Sequence, residues 1–307
     1  MLVSYVLPAY KAKFLDQAIE SILNQSYSDL ELIIVDDDSP QNLYEIVSNY
    51  DDPRIRYYKN EENIGGKDLV AQWNKCITYA KGEYLVLAAD DDIYHQDFTK
   101  DCVELINKYP EVDLLRSRIS LIDDSGKLLE IDGFLPERCS QVEFVYSWVR
   151  GATYVCIGNY MFKTKAIQKE QFDKLPYAFG TDTITTVKLA KNGVASTSEM
   201  LFDFRISDIH LSSDRTKYEE KIGAITQLYK MVNSIKYTTT SDPIEEFCLQ
   251  KVQWDTLYQK CVYDYYNVAV KHLPFSKIGK IEDCTLLERK DKLKMYARFI
   301  FEKILKK

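Results

Sequence analysis

Two acidic triplets and one further aspartate hold most of the chemistry this sequence offers. In Tyr84-Leu85-Val86-Leu87-Ala88-Ala89-Asp90-Asp91-Asp92 an apolar run ends in three adjacent carboxylates. Like charges so placed repel, and a cation relieves them. A small set of hard oxygens suits Mg²⁺ or Mn²⁺, above all an ion that also takes phosphate oxygens. A solvated acidic loop fits the same residues. In Ile33-Ile34-Val35-Asp36-Asp37-Asp38-Ser39 a second run ends the same way, and a carboxylate here can accept a base N–H such as that of uracil N3. Asp38 or Ser39 reads more simply as the cap of a following helix. Asn63-Ile64-Gly65-Gly66-Lys67 is either a plain turn or a loop that lets backbone approach a ligand, with Lys67 near phosphate or base. Asp182, after Gly180-Thr181, opens a helical stretch, where an aspartate is most often an N-cap. His210 stands in a polar run with Arg205, Ser212 and Ser213 and is one of only 3 histidines.

The elements that must position these residues follow from periodicity. Residues 2–7, 30–35, 55–58 and 84–88 are apolar runs of strand length, the first closed by Pro8. Between and after them, residues 15–23, 43–50, 69–80 and 98–109 carry apolar positions at helical spacing. Strand and helix alternating at this pitch predict a doubly wound, mostly parallel α/β sheet, whose ligands sit beyond the carboxyl ends of the strands. Both triplets fall there. Further on, residues 114–122 and 127–131 flank the turn Asp123-Asp124-Ser125-Gly126 as a hairpin. A helix near 142–149, a strand about 160–162, a helix over 183–191 and a last strand over 200–206 follow. From 217 the patterns are helical and rich in tyrosine, which divides the chain into residues 1–215 and a helical region, 216–307.

The chain has 307 residues, 46% hydrophobic and 28% charged, which is ordinary for a globular protein. A net charge of −7 argues against a general nucleic-acid binder. No apolar run reaches the ~20 residues of a spanning helix, and residues 1–10 lack the pattern of a signal peptide. The 7 cysteines include no C-x-x-C pair and read as reduced thiols, so a cytoplasmic setting is expected. The charge is unevenly spread: residues 270–307 hold eleven Lys/Arg against five acids, a net +6 against −13 for the rest. From Lys290 onward Leu293, Ala297, Ile300 and Ile304 share one helical face among basic residues. Such a helix either lies on an anionic membrane surface or packs its apolar stripe on the protein. Tyr263, Tyr265 and Tyr266 offer either a sugar-binding aromatic platform or plain helix packing.

In this order the motifs resemble the family 2 glycosyltransferases of the GT-A fold, which move sugars from nucleotide diphosphates. The resemblance is carried by residues 4–10 (SYVLPAY), 18–29 (AIESILNQSYSD), 32–39 (LIIVDDDS), 63–65 and, most fully, 80–94 (AKGEYLVLAADDDIY). It covers about the first 100 residues, loosens over 114–210 and ends near 215. It implies a Rossmann-like GT-A fold, to which the patterns after 217 add a helical C-terminal extension. It also implies a base-contacting first loop of Pro8 and Tyr10, with Tyr10 stacked on the base. Asp37 would accept the base N–H with Asp36 in support, and Lys67 would face the nucleotide. Asp91 would be the ligand to Mn²⁺ or Mg²⁺, and Asp90 would serve ribose or phosphate, since Ala89 replaces an acid common in the family. Asp182 would be the catalytic base, although Thr181 replaces its usual acidic neighbour. His210 would belong to a loop closing over the diphosphate.

The mechanism so implied is one inverting displacement. A hexosyltransferase-type enzyme takes a nucleotide-diphosphate sugar, most simply a UDP-sugar, and a saccharide or lipid-linked saccharide acceptor, in surface polysaccharide or glycolipid assembly at the inner face of the cell membrane. Against it stand a sugar-nucleotide pyrophosphorylase, for which Pro8-Ala9-Tyr10-Lys11 lacks the expected glycine- and arginine-bearing loop, and a catalytically inactive nucleotide-sugar binder. A phosphorelay receiver would leave the first strand and helix orphaned.

Overall fold

The computed structural model describes residues 1–207 and 217–305, except for the side chains of residues 304 and 305. Its first hundred residues alternate as their periodicity requires. β1 (Val3–Ala9), β2 (Leu30–Asp36), β3 (Ile55–Lys59) and β4 (Tyr84–Leu87) are separated by α1 (Leu15–Leu23), α2 (Leu43–Val47) and α3 (Leu69–Cys76). β1 pairs in parallel with β2, from Val3 opposite Leu30 to Ala9 opposite Asp36, and with β4 on its other side. β2 and β4 are buried along their whole length and β1 along almost all of it, mostly by apolar residues, because both sheet faces are covered there. The edge strand β3 is half-buried. Tyr5, Leu7 and Leu32 pack against α1, while Val6, Ile33 and Leu85 face the opposite layer.

The short β5 (Ile93–Tyr94) and α4 (Phe98–Lys108) lead to the second half: β6 (Leu114–Ile122), β7 (Leu128–Ile131), β8 (Arg138–Cys139), α5 (Gln141–Val149), β9 (Tyr160–Lys163), α6 (Thr164–Glu170), α7 (Thr181–Leu189) and β10 (Val194–Arg205). The sheet runs β3-β2-β1-β4-β9-β6-β10-β5, with β7 on β6 and β8 on β10. β9 is antiparallel to both of its neighbours, so the sheet is mixed, with parallel strands on either side of β9. Ser140 and Glu143 close a reciprocal capping box at the start of α5.

Several local expectations are corrected. β1 runs past Pro8 to Ala9, with Pro8 opposite Val35 in a parallel register. Neither Asp38 nor Ser39 caps α2. Asn42 does, accepting Glu45 N–H, while Asp38 sits in the left-handed region at φ 51°. β10 begins at Val194, earlier than expected, because its register slips between Ser196 and Phe202 and the slip hides its alternation.

After residue 217 come α8 (Tyr218–Ser234), α9 (Pro243–Lys251), α10 (Trp254–Tyr265) and α11 (Arg289–Ile300). Tyr229, Val232, Leu257, Cys261 and Tyr265 join the same apolar cluster as Val6 and Leu85 of the sheet. Tyr265 is fully buried and its hydroxyl meets that of Thr226 at 2.5 Å, so the tyrosine run is no continuous aromatic platform. α11 docks through Met295 and Phe299, which are 2% and 0% exposed. The stripe read from its sequence points elsewhere: Leu293 is 69% and Ile300 43% exposed, with Ala297 exposed between them. Packing of that stripe on the protein is thereby corrected. Among the described residues no helix is long and apolar enough to cross a membrane, and all seven cysteines are free thiols.

Gly180 precedes α7 at φ 84°, and a Cβ there would lie 2.9 Å from the Leu228 side chain of α8. Gly180→Ala must therefore both adopt a left-handed backbone and displace Leu228. A loss of about 1–2 kcal/mol from the backbone alone is expected in urea unfolding, and an unchanged midpoint would contradict the α7–α8 packing described.

Candidate active site

The carboxyl ends of β1, β2 and β4 meet around a cavity of about 320 Å³ lined by Pro8, Tyr10, Lys11, Asp37, Gly65, Asp90 and Asp91, among others. Each acid is held by a different neighbour. Asp90 is buried, and its Oδ2 accepts the N–H groups of Tyr10 and Lys11 at 2.8 and 2.7 Å, fastening the loop after β1 to the end of β4. Burial raises its carboxyl above the ordinary value, with Lys11 opposing and Asp91 adding to the shift. Asp92 accepts Arg205 N–H at 2.9 Å, and burial followed by the charge of Asp91 raises its carboxyl well above normal.

Asp37 spans to the glycine loop. Its Oδ1 accepts Asn60 Nδ2 at 2.6 Å and Ile64 N–H at 2.9 Å, and its Oδ2 accepts Gly65 N–H at 2.6 Å. Glycine is required at 65 because a Cβ would lie 2.8 Å from that same Oδ2. Asp36 does not line the cavity. Its oxygens accept Ser39 N–H at 2.8 Å and the Tyr57 hydroxyl at 2.6 Å, which holds the turn that presents Asp37. Tyr10 is 42% exposed, a ring at the cavity mouth, and its carbonyl accepts the Ser39 hydroxyl at 2.6 Å. Lys67 points away from this group. It pairs with Glu62 at 2.5 Å and lines a neighbouring cavity with Gly66 and Lys174. His210 lies outside the described residues.

Asp91 differs from its neighbours. Among the described residues its carboxylate receives no backbone N–H; its one partner is the Lys11 ammonium, 3.4 Å from Oδ2. No group of three or more His, Cys, Asp or Glu side chains among the described residues forms a ready metal cage. Asp91, with Asp90 beside it, instead fits a hard divalent cation that takes one or two protein carboxylates and completes its shell with water and phosphate oxygens.

A second cavity of about 410 Å³ adjoins the first through Leu69, Trp73, Ala89 and Ile157. Its walls include Tyr154, Tyr177, Phe179 and Phe204, and its carboxylates are Asp92 and Asp182. Asp182 is the second residue of α7, not its cap: Gly180 holds the cap position and makes no side-chain bond. Among the described residues the Asp182 carboxylate accepts the N–H of Thr183 at 2.7 Å and, at 3.4 Å, its hydroxyl. Burial lifts it from 3.8 to about 6. Cys156 lies between the acids. Its thiol is pushed well up by burial first, then by Asp92, with smaller contributions from Asp182 and Asp91.

Three residues of the site have no motif of their own. Lys11 and Trp73 line the nucleotide-sized cavity. Arg205, only a polar residue after a strand in the sequence, is 1% exposed. Its guanidinium donates to the carbonyls of Asp91, Asp123 and Asp124 and to Gln17 Oε1, and lies 4.2 Å from the centre of the Phe14 ring. The chain spacing of these contacts is the signal that sequence reading lacks.

The sequence profile of Glycosyl transferase family 2 matches residues 4–192. An uncharacterized glycosyltransferase of Methanocaldococcus jannaschii is 32% identical over 178 residues, 56% of this chain and 59% of that protein, so the match spans less than two thirds of that relative. The GalNAc(5)-diNAcBac-PP-undecaprenol beta-1,3-glucosyltransferase of Campylobacter jejuni is 24% identical over 285 residues, 89% of this chain and 83% of that one. Among solved structures, S. aureus TarS 1–349 in complex with UDP superimposes with a TM-score of 0.70 at 15% identity, covering 97% of this chain and 89% of that 1–349 chain.

The Asp182 shift fixes a stability test. Its carboxyl takes up a proton more readily in the folded chain than unfolded, so its contribution is present below about pH 4 and is lost as pH rises through 6. Asp182→Asn removes that loss. A melting temperature higher than wild type by roughly 2–4 °C at pH 8, with the gap closing at pH 4, is expected in calorimetry. A variant less stable than wild type at pH 8 would show Asp182 to be a stabilising helix residue.

Proposed function

This chain belongs to glycosyl transferase family 2, and on that premise we propose that it is a metal-dependent, inverting hexosyltransferase that uses a UDP-sugar. The observation that carries the reading is the pair of adjoining cavities. One is lined by the acids of two strand ends, Asp37 after β2 and Asp90 and Asp91 after β4, and the other holds Asp92 and Asp182 among aromatic walls. Nucleotide and reacting hydroxyl then sit on the two sides of Ala89.

Pro8 and the exposed ring of Tyr10 flank the base. Asp37 spends two acceptor sites on the glycine loop and a third on the Asn60 amide. A carboxylate has about four, which leaves one for uracil N3–H. Asp36 supports Asp37 through the turn, and Asp90 shapes the backbone that meets ribose or phosphate. Asp91 would hold Mn²⁺ or Mg²⁺, which when bound neutralises charge on the departing diphosphate. Asp182 takes the proton of the acceptor hydroxyl as its oxygen forms a bond to sugar C1. The C1–O bond to the diphosphate breaks on the opposite face, and its electron pair leaves on the phosphate oxygen.

The relative of known acceptor acts on a polyprenol-linked saccharide, and a lipid-linked saccharide in surface polysaccharide or glycolipid assembly is the acceptor proposed here. The enzyme would then work on the inner face of the cell membrane, and α11 supplies a means. Its outward stripe of Leu293, Ile300 and Phe301 (69%, 43% and 55% exposed) is flanked by Lys290, Lys294 and Arg298, the pattern of an interfacial helix. We expect the protein to sediment with vesicles rich in phosphatidylglycerol, and Leu293→Ser/Phe301→Ser to lose most of that binding with an unchanged melting temperature. Equal recovery of both proteins would remove the membrane contact.

Transfer itself is tested with UDP-sugars and a saccharide acceptor, following UDP release and the anomeric configuration of the product. Asp182→Asn should lower turnover by roughly 10²–10⁴ while UDP still binds. The wild-type rate should fall toward acid with a midpoint near the value of about 6 given by the buried carboxyl. Product of retained configuration, or a variant within a few-fold of wild type, would overturn this assignment.

A further inference from the structure

The charge balance of the nucleotide cavity singles out Lys11. Its backbone is anchored, since its own N–H and that of Tyr10 are both held by Asp90. Its side chain is not. The ammonium bridges loosely, 3.4 Å from Asp91 Oδ2 and 3.9 Å from Asp90 Oδ1, and is 30% exposed. A long stem on a fixed root can swing without any change in the loop.

Among the described residues lining this cavity Lys11 is the only cation, facing Asp37, Asp90 and Asp91. The alternatives are committed elsewhere. Lys67 pairs with Glu62 and lines the neighbouring cavity, and the Arg205 guanidinium is spent on three carbonyls and Gln17. A diphosphate entering alone would meet three carboxylates and one ammonium. A divalent cation entering alone would have to displace that ammonium from Asp91.

We propose that Lys11 is a diphosphate-binding residue that rests on Asp91 in the free protein and turns to the phosphates when a divalent cation takes that carboxylate. The inference builds on the metal and nucleotide reading above. It makes the two ligands cooperative: each removes the charge that opposes the other.

The test compares wild type, Lys11→Met and Lys11→Arg. Mn²⁺ binding without nucleotide is followed by electron paramagnetic resonance, and UDP and uridine binding in the presence of Mn²⁺ by NMR titration. Lys11→Met should weaken UDP by roughly tenfold or more, the effect of one charged hydrogen bond, while uridine, which lacks phosphates, changes by less than about twofold. The same variant should bind Mn²⁺ alone more tightly than wild type, and Lys11→Arg should retain UDP affinity. Equal losses for UDP and uridine, or Mn²⁺ affinity of Lys11→Met equal to or below wild type, would overturn the role. A wild type that transfers sugar yet takes up no Mn²⁺ with or without UDP would overturn the exchange while leaving the transferase reading intact. A wild type that binds UDP but transfers nothing, with Lys11→Met still selectively weak for UDP, would support Lys11 and sink the transferase reading.

Discussion

Carboxylates that are buried at strand ends must receive hydrogen bonds, and in this chain the donors are backbone N–H groups from distant segments. Asp37 draws in the glycine loop, Asp90 the loop after β1, and Asp92 the end of β10. A buried charge without such donors costs several kcal/mol, so each aspartate fixes the position of a loop that the sheet alone would leave free. The first cavity lies between the tethers of Asp37 and Asp90, and Asp92 lines the second. Of the strand-end acids lining the first cavity, only Asp91 lacks a backbone donor among the described residues, and its partner there is the Lys11 ammonium.

Arg205 supplies the complementary half. One fork-shaped guanidinium serves three backbone carbonyls beyond β4 and β6, that of Asp91 buried and those of Asp123 and Asp124 nearer the surface, while its flat face rests on Phe14. A lysine, with a point-like ammonium, offers neither the divergent donors nor the stacking face.

What could be read from the sequence divides along the range of the interactions. β1, β2 and β4 were legible because a strand covered on both faces is apolar at almost every position, and the acidic triplets because they end such runs abruptly. The helix expected over 183–191 lies at 181–189, and its start is not legible: Asp182 reads as a cap, whereas the left-handed Gly180 holds that place. The antiparallel β9 was read as a strand without its direction, since nothing local to four residues encodes it. Lys11 and Arg205 were not legible as site residues. Their contacts to Asp91 close over 80 and 114 residues, and no pattern within a window reports such a pairing. The exposed stripe of α11 was found correctly as a stripe, but its direction depended on Met295 and Phe299 competing for the same docking surface.

The placement of β9 also bears on how the chain is made. β4 gains its second neighbour only when residues 160–163 arrive, because β9 pairs Tyr84 with Lys163 and Val86 with Met161. At the usual pace of synthesis the ribosome takes roughly 4–15 s to cover that stretch, and throughout it the outer edge of β4 is an unpaired template for another strand. Asp90, Asp91 and Asp92 follow that edge directly. Charge placed beside an unpaired strand edge opposes its pairing with another chain, and these three acids hold that position during the interval.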